Sequence, residues 1–238
     1  MSLDFDSARL PNKSLTSEHH EWRSQLRRFF DREVIPYAAQ WDEDGHIPDE
    51  LWPKSAAVGI LGLGYPEEFG GVSEGIDLWY GIILNEEMAR IAVGGVSATL
   101  MVHGIGLPPV INFGSDEVKQ MVAPPVLAGT KRISLAITEP GAGSDVAHLT
   151  TTAQLEGDHY VVNGSKTYIT GGMNANWFTT AVRTGGEGAG GVSALLIPAD
   201  AEGVSRTALD KKQGWWCSDT ATIYFDNVRV PVGNLIGQ

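Results

Sequence analysis

The stretch ITEPGAGSD runs from Ile137 to Asp145. It sets hydroxyls at Thr138 and Ser144, carboxylates at Glu139 and Asp145, and glycines at 141 and 143 directly after an apolar run. Hydroxyls donate to or accept from a heteroaromatic ring or a carbonyl oxygen. A glycine lets a ligand approach the backbone closely, and a carboxylate can serve as a general base. The same residue types also make local turn bonds, and capping or turn bonding describes Glu139 and Asp145 better than base catalysis. Farther on, KTYIT brings Thr167, Tyr168 and Thr170 together. The Tyr168 ring suits either a flat ligand or a core position. His103 reads as a buried polar group, and Trp215-Trp216 as a core, cavity or interface pair.

Three other kinds of site are excluded by spacing. Gly141-Ala-Gly143 begins like a dinucleotide fingerprint, but its third glycine position is Val146 and no crossover helix follows. No phosphate loop of the GxxxxGK[ST] type is present. One cysteine, Cys217, allows no internal disulfide, and no Cys/His spacing points to zinc.

Two kinds of sequence must position these residues. From Thr16 to about Trp41, apolar residues recur at helical spacing (Trp22, Leu26, Phe29 or Phe30, Val34), with Thr16 or Ser17 as cap and a break at Pro36. A second helix starts near Pro48 and carries Leu51, Trp52 and Val58. A third spans 76–91 with Leu78, Ile82, Ile83 and Met88 inward. A buried, glycine-interrupted helix follows and stops at Pro108-Pro109. Ser115 opens a last helix through Val126, ended by Gly129. After Thr130 come six short runs rich in β-branched and aromatic residues, with hairpin signals at Gly157-Asp158 and Asn163-Gly164. The expected fold class is α+β. An N-terminal all-α helical domain (1–130) is followed by a compact antiparallel β-barrel domain (131–238). The glycine-rich segment 184–193 reads as the most flexible loop.

With 238 residues and ordinary hydrophobic content, the chain can bury one or two cores. A formal net charge of −12 disfavours nucleic acid. No secretory signal pattern opens the sequence and no apolar run approaches a membrane span, so a soluble cytoplasmic protein is expected.

Taken together, ITEPGAGSDVAHLTTTAQLEGDHYVVNGSKTYITGG (137–172), the upstream FFDREVIPYAAQWDEDGHIPDELWPKSAAVGILGLGYPEEFGG and the downstream SDTATIYFDNVRVPVGNLIG resemble the acyl-CoA dehydrogenase family. The resemblance implies a helical N-terminal domain, a β-barrel middle domain and a C-terminal helical bundle. This sequence ends at Gln238, where that bundle would begin. It implies FAD as cofactor and an acyl-CoA as substrate. A carboxylate removes the α-proton, the β-hydride goes to flavin N5, and hydrogen bonds stabilise the enolate. The base of the family is a glutamate of the bundle, so no residue here inherits that role.

By motif, Leu135, Ile137, Thr138, Gly143 and Ser144 line the flavin on one side, and Tyr168, Ile169 and Thr170 form the second wall. Ile137 and Thr138 offer backbone and hydroxyl bonds to the ring edge, and Thr170 sits near N5. Ser144 faces both cofactor and CoA, and the loop 184–191 borders the CoA tail. Many relatives have Trp at the place of Tyr168. Small residues in VSATLMVHG leave room for a longer or bulkier acyl group. An electron-transfer flavoprotein as acceptor and a homotetramer are further implications. The alternatives are an acyl-CoA oxidase or flavin monooxygenase of the same fold, or a truncated module that binds acyl-CoA or a partner without turnover.

Overall fold

The computed structural model describes residues 3–237. The chain divides into two compact units. One holds the residues up to Leu100 together with Leu127–Thr130 and Gln213–Ser218. The other holds Met101–Val126, Lys131–Lys212 and the residues from Asp219 on. No single helix among the described residues is long and apolar enough to cross a membrane.

The first unit is helical. Helix α1 (Ser17–Glu33) buries Trp22, Leu26, Phe29 and Phe30 on one face. Its start is closed by His19, whose Nδ1 accepts from the Thr16 backbone N–H at 3.0 Å. The chain breaks around Pro36, as the missing donor requires, and resumes as α2 (Ala38–Asp44), ended by Gly45 at φ +70°. Helix α3 (Leu51–Ala57) follows, then a tight loop in which Leu63 bridges Val72. Helix α4 (Leu78–Ala89) starts at Asp77, whose carboxylate accepts from the Trp79 N–H. Ile83 and Met88 are inward, whereas Leu78 is exposed: it is the first residue of the helix, beyond the apolar stripe. Helix α5 (Gly94–Leu100) is packed tightly enough that a Cβ at Gly94 would lie 2.5 Å from the Trp215 indole nitrogen. Trp215 and Trp216 are both exposed, so neither is a core residue, and Cys217 beside them is buried.

A charge cluster ties α1 to α4. Glu87 is fully buried and pairs with Arg27 (2.9 Å), Arg23 (3.1 Å) and Arg90 (3.4 Å). Burial alone would push its carboxyl up, but the Arg27 and Arg23 guanidinium groups reverse this and hold it below its ordinary value.

The second unit begins with α6 (His103–Gly106), α7 (Pro108–Phe113) and α8 (Asp116–Leu127). Pro108 and Pro109 open α7 rather than ending a helix, because a first helical turn needs no proline N–H. Ser115 caps α8 through the Val118 N–H, and His103 is buried as its surroundings predict.

The sheet has eight strands: β1 (Ile133–Ala136), β2 (Thr152–Glu156), β3 (His159–Thr170), β4 (Trp177–Arg183), β5 (Val192–Pro198), β6 (Val204–Ala208), β7 (Thr220–Pro231) and β8 (Leu235–Ile236). Their order is β6-β7-β3-β2-β4-β5-β8, with β1 added beside β4. The fold class is α+β as expected, with two differences in the sheet. It is open rather than closed into a barrel, and it is mixed: β1 runs parallel to β4, from Ile133 opposite Trp177 to Ala136 opposite Thr180. Phe178, Val182, Ile197, Ile223 and Val228 fill its core.

Gly157-Asp158 turns the β2–β3 hairpin. Asn163-Gly164 does not turn; it lies inside β3 at a register shift against β7. Gly164 has φ +142°, and a Cβ there would sit 2.7 Å from the Thr151 Cα, so the glycine serves a bulge and a close backbone approach. Gly164→Ala should therefore destabilise the protein by about 2–3 kcal/mol in urea unfolding. Glu87→Gln should cost about 2–3 kcal/mol, since it leaves the partly buried Arg23, Arg27 and Arg90 guanidinium groups without their shared carboxylate. It should also remove part of the acid dependence. A carboxyl held below its ordinary 4.5 contributes fully above that pH, and loses the contribution as pH falls through its folded value. Stability measured from pH 7 to 3 should thus fall less steeply in the variant.

Candidate functional site

The motif turn leaves the C-terminal end of β1, and the far end of β3 comes back to meet it. A second register shift in β3, between Lys166 and Ile169, carries the strand to that meeting. There the Thr167 N–H donates to the Thr138 carbonyl at 2.8 Å. The turn closes on itself through two bonds, Glu139 N–H to the Ala142 carbonyl (2.9 Å) and Ala142 N–H to the Glu139 carbonyl (3.2 Å).

Its buried side is fixed by charge. Lys166 is fully buried, and its Nζ donates to Glu139 Oε1 at 2.7 Å and to the Ile137 carbonyl at 3.0 Å. Glu139 is buried as well. It accepts further bonds from the Thr151 N–H (2.9 Å), the Thr150 N–H (2.6 Å) and the Thr150 hydroxyl (2.8 Å). Burial works against its charge, yet Lys166, Thr151 and Thr150 together bring its carboxyl down to about 2. Burial pushes the Lys166 amine down from its ordinary value. The bulge at Gly164 admits Thr151 under the turn, so the backbone irregularity and the ion pair belong to one arrangement.

The outer side is open. A Cβ at Gly141 or Gly143 would meet no atom within 4 Å, and neither glycine has a positive φ. The chain's own packing therefore demands glycine at neither place. Ser144 and Tyr168 are exposed; Leu135, Ile137, Thr138 and Thr170 are half-buried. No hydrogen bond engages the Thr138, Ser144 or Thr170 hydroxyls among the described residues. Tyr168 stands in the left-handed region, at φ +58°, with 66% of its surface exposed. A bulky residue in that conformation carries strain. Nothing in the hydrophobic core takes up its ring, so a core role for Tyr168 is ruled out.

The Thr167–Thr138 bond thus sets Ile137 and Thr138 beside the end of β3 that carries Tyr168 and Thr170, and Gly143 and Ser144 follow in the same turn. Ile169 differs: the residue is 2% exposed and belongs to the sheet core, so its side chain does not line this face. The loop 184–191 is drawn to the same place by Arg183. Its guanidinium donates to the Gly186, Gly188, Ala147 and Leu149 carbonyls, which ties the loop to the segment that follows Ser144. Asp145 bonds His148 Nδ1 at 2.6 Å on the surface. The residues that sequence reasoning missed are the anchoring ones, Lys166, Thr150, Thr151 and Arg183. Lys166 is the one with a signal, a lysine at an inward position of an alternating strand. A cavity of about 180 Å³ near Lys131, Asn176, Trp177 and Arg206 lies at the opposite end of β1 and has no part in this arrangement.

Chemically, the face offers hydroxyls, backbone amides, two bare glycines and one exposed aromatic ring. That set suits a flat heteroaromatic ligand with polar edges.

Known proteins resemble this chain in sequence and in fold. Residues 16–130 match the family model "Acyl-CoA dehydrogenase, N-terminal domain", and residues 134–228 match "Acyl-CoA dehydrogenase, middle domain". The acyl-CoA dehydrogenase AFT10-1 of Alternaria alternata is 36% identical over 244 residues, which cover 97% of this chain and 56% of that protein. The crystal structure of a probable acyl-CoA dehydrogenase from Mycobacterium abscessus superposes with a TM-score of 0.89 at 47% identity, covering 94% of this chain and 59% of that one. A glutaryl-CoA dehydrogenase from Mycobacterium smegmatis, solved in complex with FADH2, gives a TM-score of 0.86 at 26% identity, with 98% and 57% covered. The chain thus spans less than two thirds of the length of each of these proteins. With two successive domains of one family matched in order along most of its residues, the chain belongs to the acyl-CoA dehydrogenase family.

Proposed function

We propose that this chain forms the FAD-facing part of an enzyme that oxidises an acyl-CoA thioester across its α and β carbons. The observation that carries the reading is Tyr168: an exposed aromatic held in a strained left-handed conformation beside a turn of bare glycines and unbonded hydroxyls. Strain of this kind is kept where the surroundings impose it, and functional sites are where it collects.

In this reading the Tyr168 ring and the half-buried Leu135 and Ile137 side chains bound the flat ring system. The Thr138 hydroxyl and N–H bond its edge. The Thr170 hydroxyl stands near N5, and Gly143 admits the ligand without a Cβ in the way. Ser144 faces both the cofactor and the CoA part of the substrate, with the Arg183-anchored loop 184–191 beside it. Bound FAD would supply the two-electron acceptor that no amino-acid side chain provides.

Glu139 is not the α-proton acceptor in this reading. Glu139 has both oxygens committed to the protein's own donors, and a carboxyl held at about 2 is a poor base at neutral pH. Acyl-CoA as substrate, an electron-transfer flavoprotein as acceptor, and a cytoplasmic homotetrameric enzyme complete the proposal on the family resemblance.

The test is a visible absorption spectrum of the purified protein with FAD, before and after an acyl-CoA is added without oxygen. A bound-flavin band that bleaches supports the reading; a protein that takes up no FAD contradicts it. Tyr168→Gly sharpens the test. Glycine accepts the left-handed conformation, so folding stability should stay equal or rise by about 1 kcal/mol. FAD affinity should nevertheless fall at least about tenfold, because the ring that bounds the flavin is gone. Unchanged affinity would remove Tyr168 from the site.

A further inference from the structure

The amine of Lys166 does more than join a carboxylate. It also donates to the Ile137 carbonyl at 3.0 Å. That carbonyl and the Thr138 N–H belong to one peptide group. A cation bonded to the oxygen of a peptide withdraws electron density across it, which makes the N–H at the other end a stronger donor. The Thr138 N–H has no backbone partner among the described residues, while the Thr138 carbonyl is held separately by the Thr167 N–H. The lysine is fully buried, so its charge is costly to keep there. Geometry alone does not call for that cost, since a neutral donor could hold the Ile137 carbonyl as well.

We propose that Lys166 is a positioning residue that polarises the Ile137–Thr138 peptide toward the bound flavin, with Glu139 holding the ammonium on the carbonyl. The inference rests on the FAD reading above. Reduced flavin carries more negative charge at its polar edge than oxidised flavin. A stronger Thr138 donor therefore favours the reduced form, and the pair raises the potential of the cofactor.

The experiment measures the affinity for oxidised FAD, the midpoint potential of the bound flavin and the folding stability in the FAD-loaded protein. In the double variant Lys166→Met/Glu139→Gln both charges leave together, so no buried ion is stranded. It should fold, and its affinity for reduced FAD should fall about tenfold more than its affinity for oxidised FAD. For a two-electron couple that is about 30 mV toward negative potential. Lys166→Arg keeps a charged donor and should restore most of the shift. A second neutral pair, Lys166→Gln/Glu139→Gln, keeps neutral hydrogen bonds in place of the ion pair and should move the potential in the same negative direction, which keeps a readout if the first double variant does not fold.

A structural role alone predicts equal loss of affinity for both redox states and an unmoved potential in every variant; that result overturns the inference and leaves the FAD reading standing. A parent protein that binds no FAD overturns both.

Discussion

The buried contact between Lys166 and Glu139 is the constraint on which the site depends. Two opposite charges at 2.7 Å, both out of water, are favourable only if every remaining donor and acceptor finds a partner. Here nearly all do: Thr150 and Thr151 fill the carboxylate, and the Ile137 carbonyl takes a second of the three ammonium protons. Meeting those demands fixes three pieces of chain that are far apart in sequence. The turn after β1 is set from below, the segment leading into β2 is drawn under it, and the end of β3 is locked beside it. The bulge at Gly164 and the strained backbone of Tyr168 are consequences, since β3 cannot serve both β7 and the turn with a regular register.

That division of labour explains which side of the turn does what. Polar groups facing inward are consumed by the protein itself, and those facing outward are left with bonding capacity. The motif therefore contains two kinds of residue with similar chemistry and opposite roles. Glu139 looks like a candidate base and is an anchor. Thr138 and Ser144 look like ordinary turn hydroxyls and are the ones left open.

Much of this was legible in the sequence, and the failures share a cause. Helical spacing placed α1, its cap and the break at Pro36, because a helix is a local structure written in local periodicity. The position of the motif at the end of an apolar strand was equally local. Asn163-Gly164 reads as a turn in sequence, but the same dipeptide serves a bulge when another backbone passes close by, and Thr151 is that neighbour. Tyr168 reads equally as core or ligand residue in the sequence because its conformation is set by the register of β7, far along the chain. The parallel pairing of β1 with β4, and the open sheet it joins, likewise lie in contacts that no short window contains. Lys166 does not stand out in the sequence, since a lysine in a strand usually points to water; only its partner 27 residues away explains its burial.

The central claim is that the outer face of the turn and the end of β3 together receive a flavin. Amide hydrogen exchange with and without FAD tests it most directly. The account predicts slowed exchange at Thr138, Gly141, Gly143, Ser144 and Tyr168–Thr170 on addition of FAD, with the β5 amides unchanged. FAD that binds while these amides exchange as before, with protection appearing elsewhere, would contradict it.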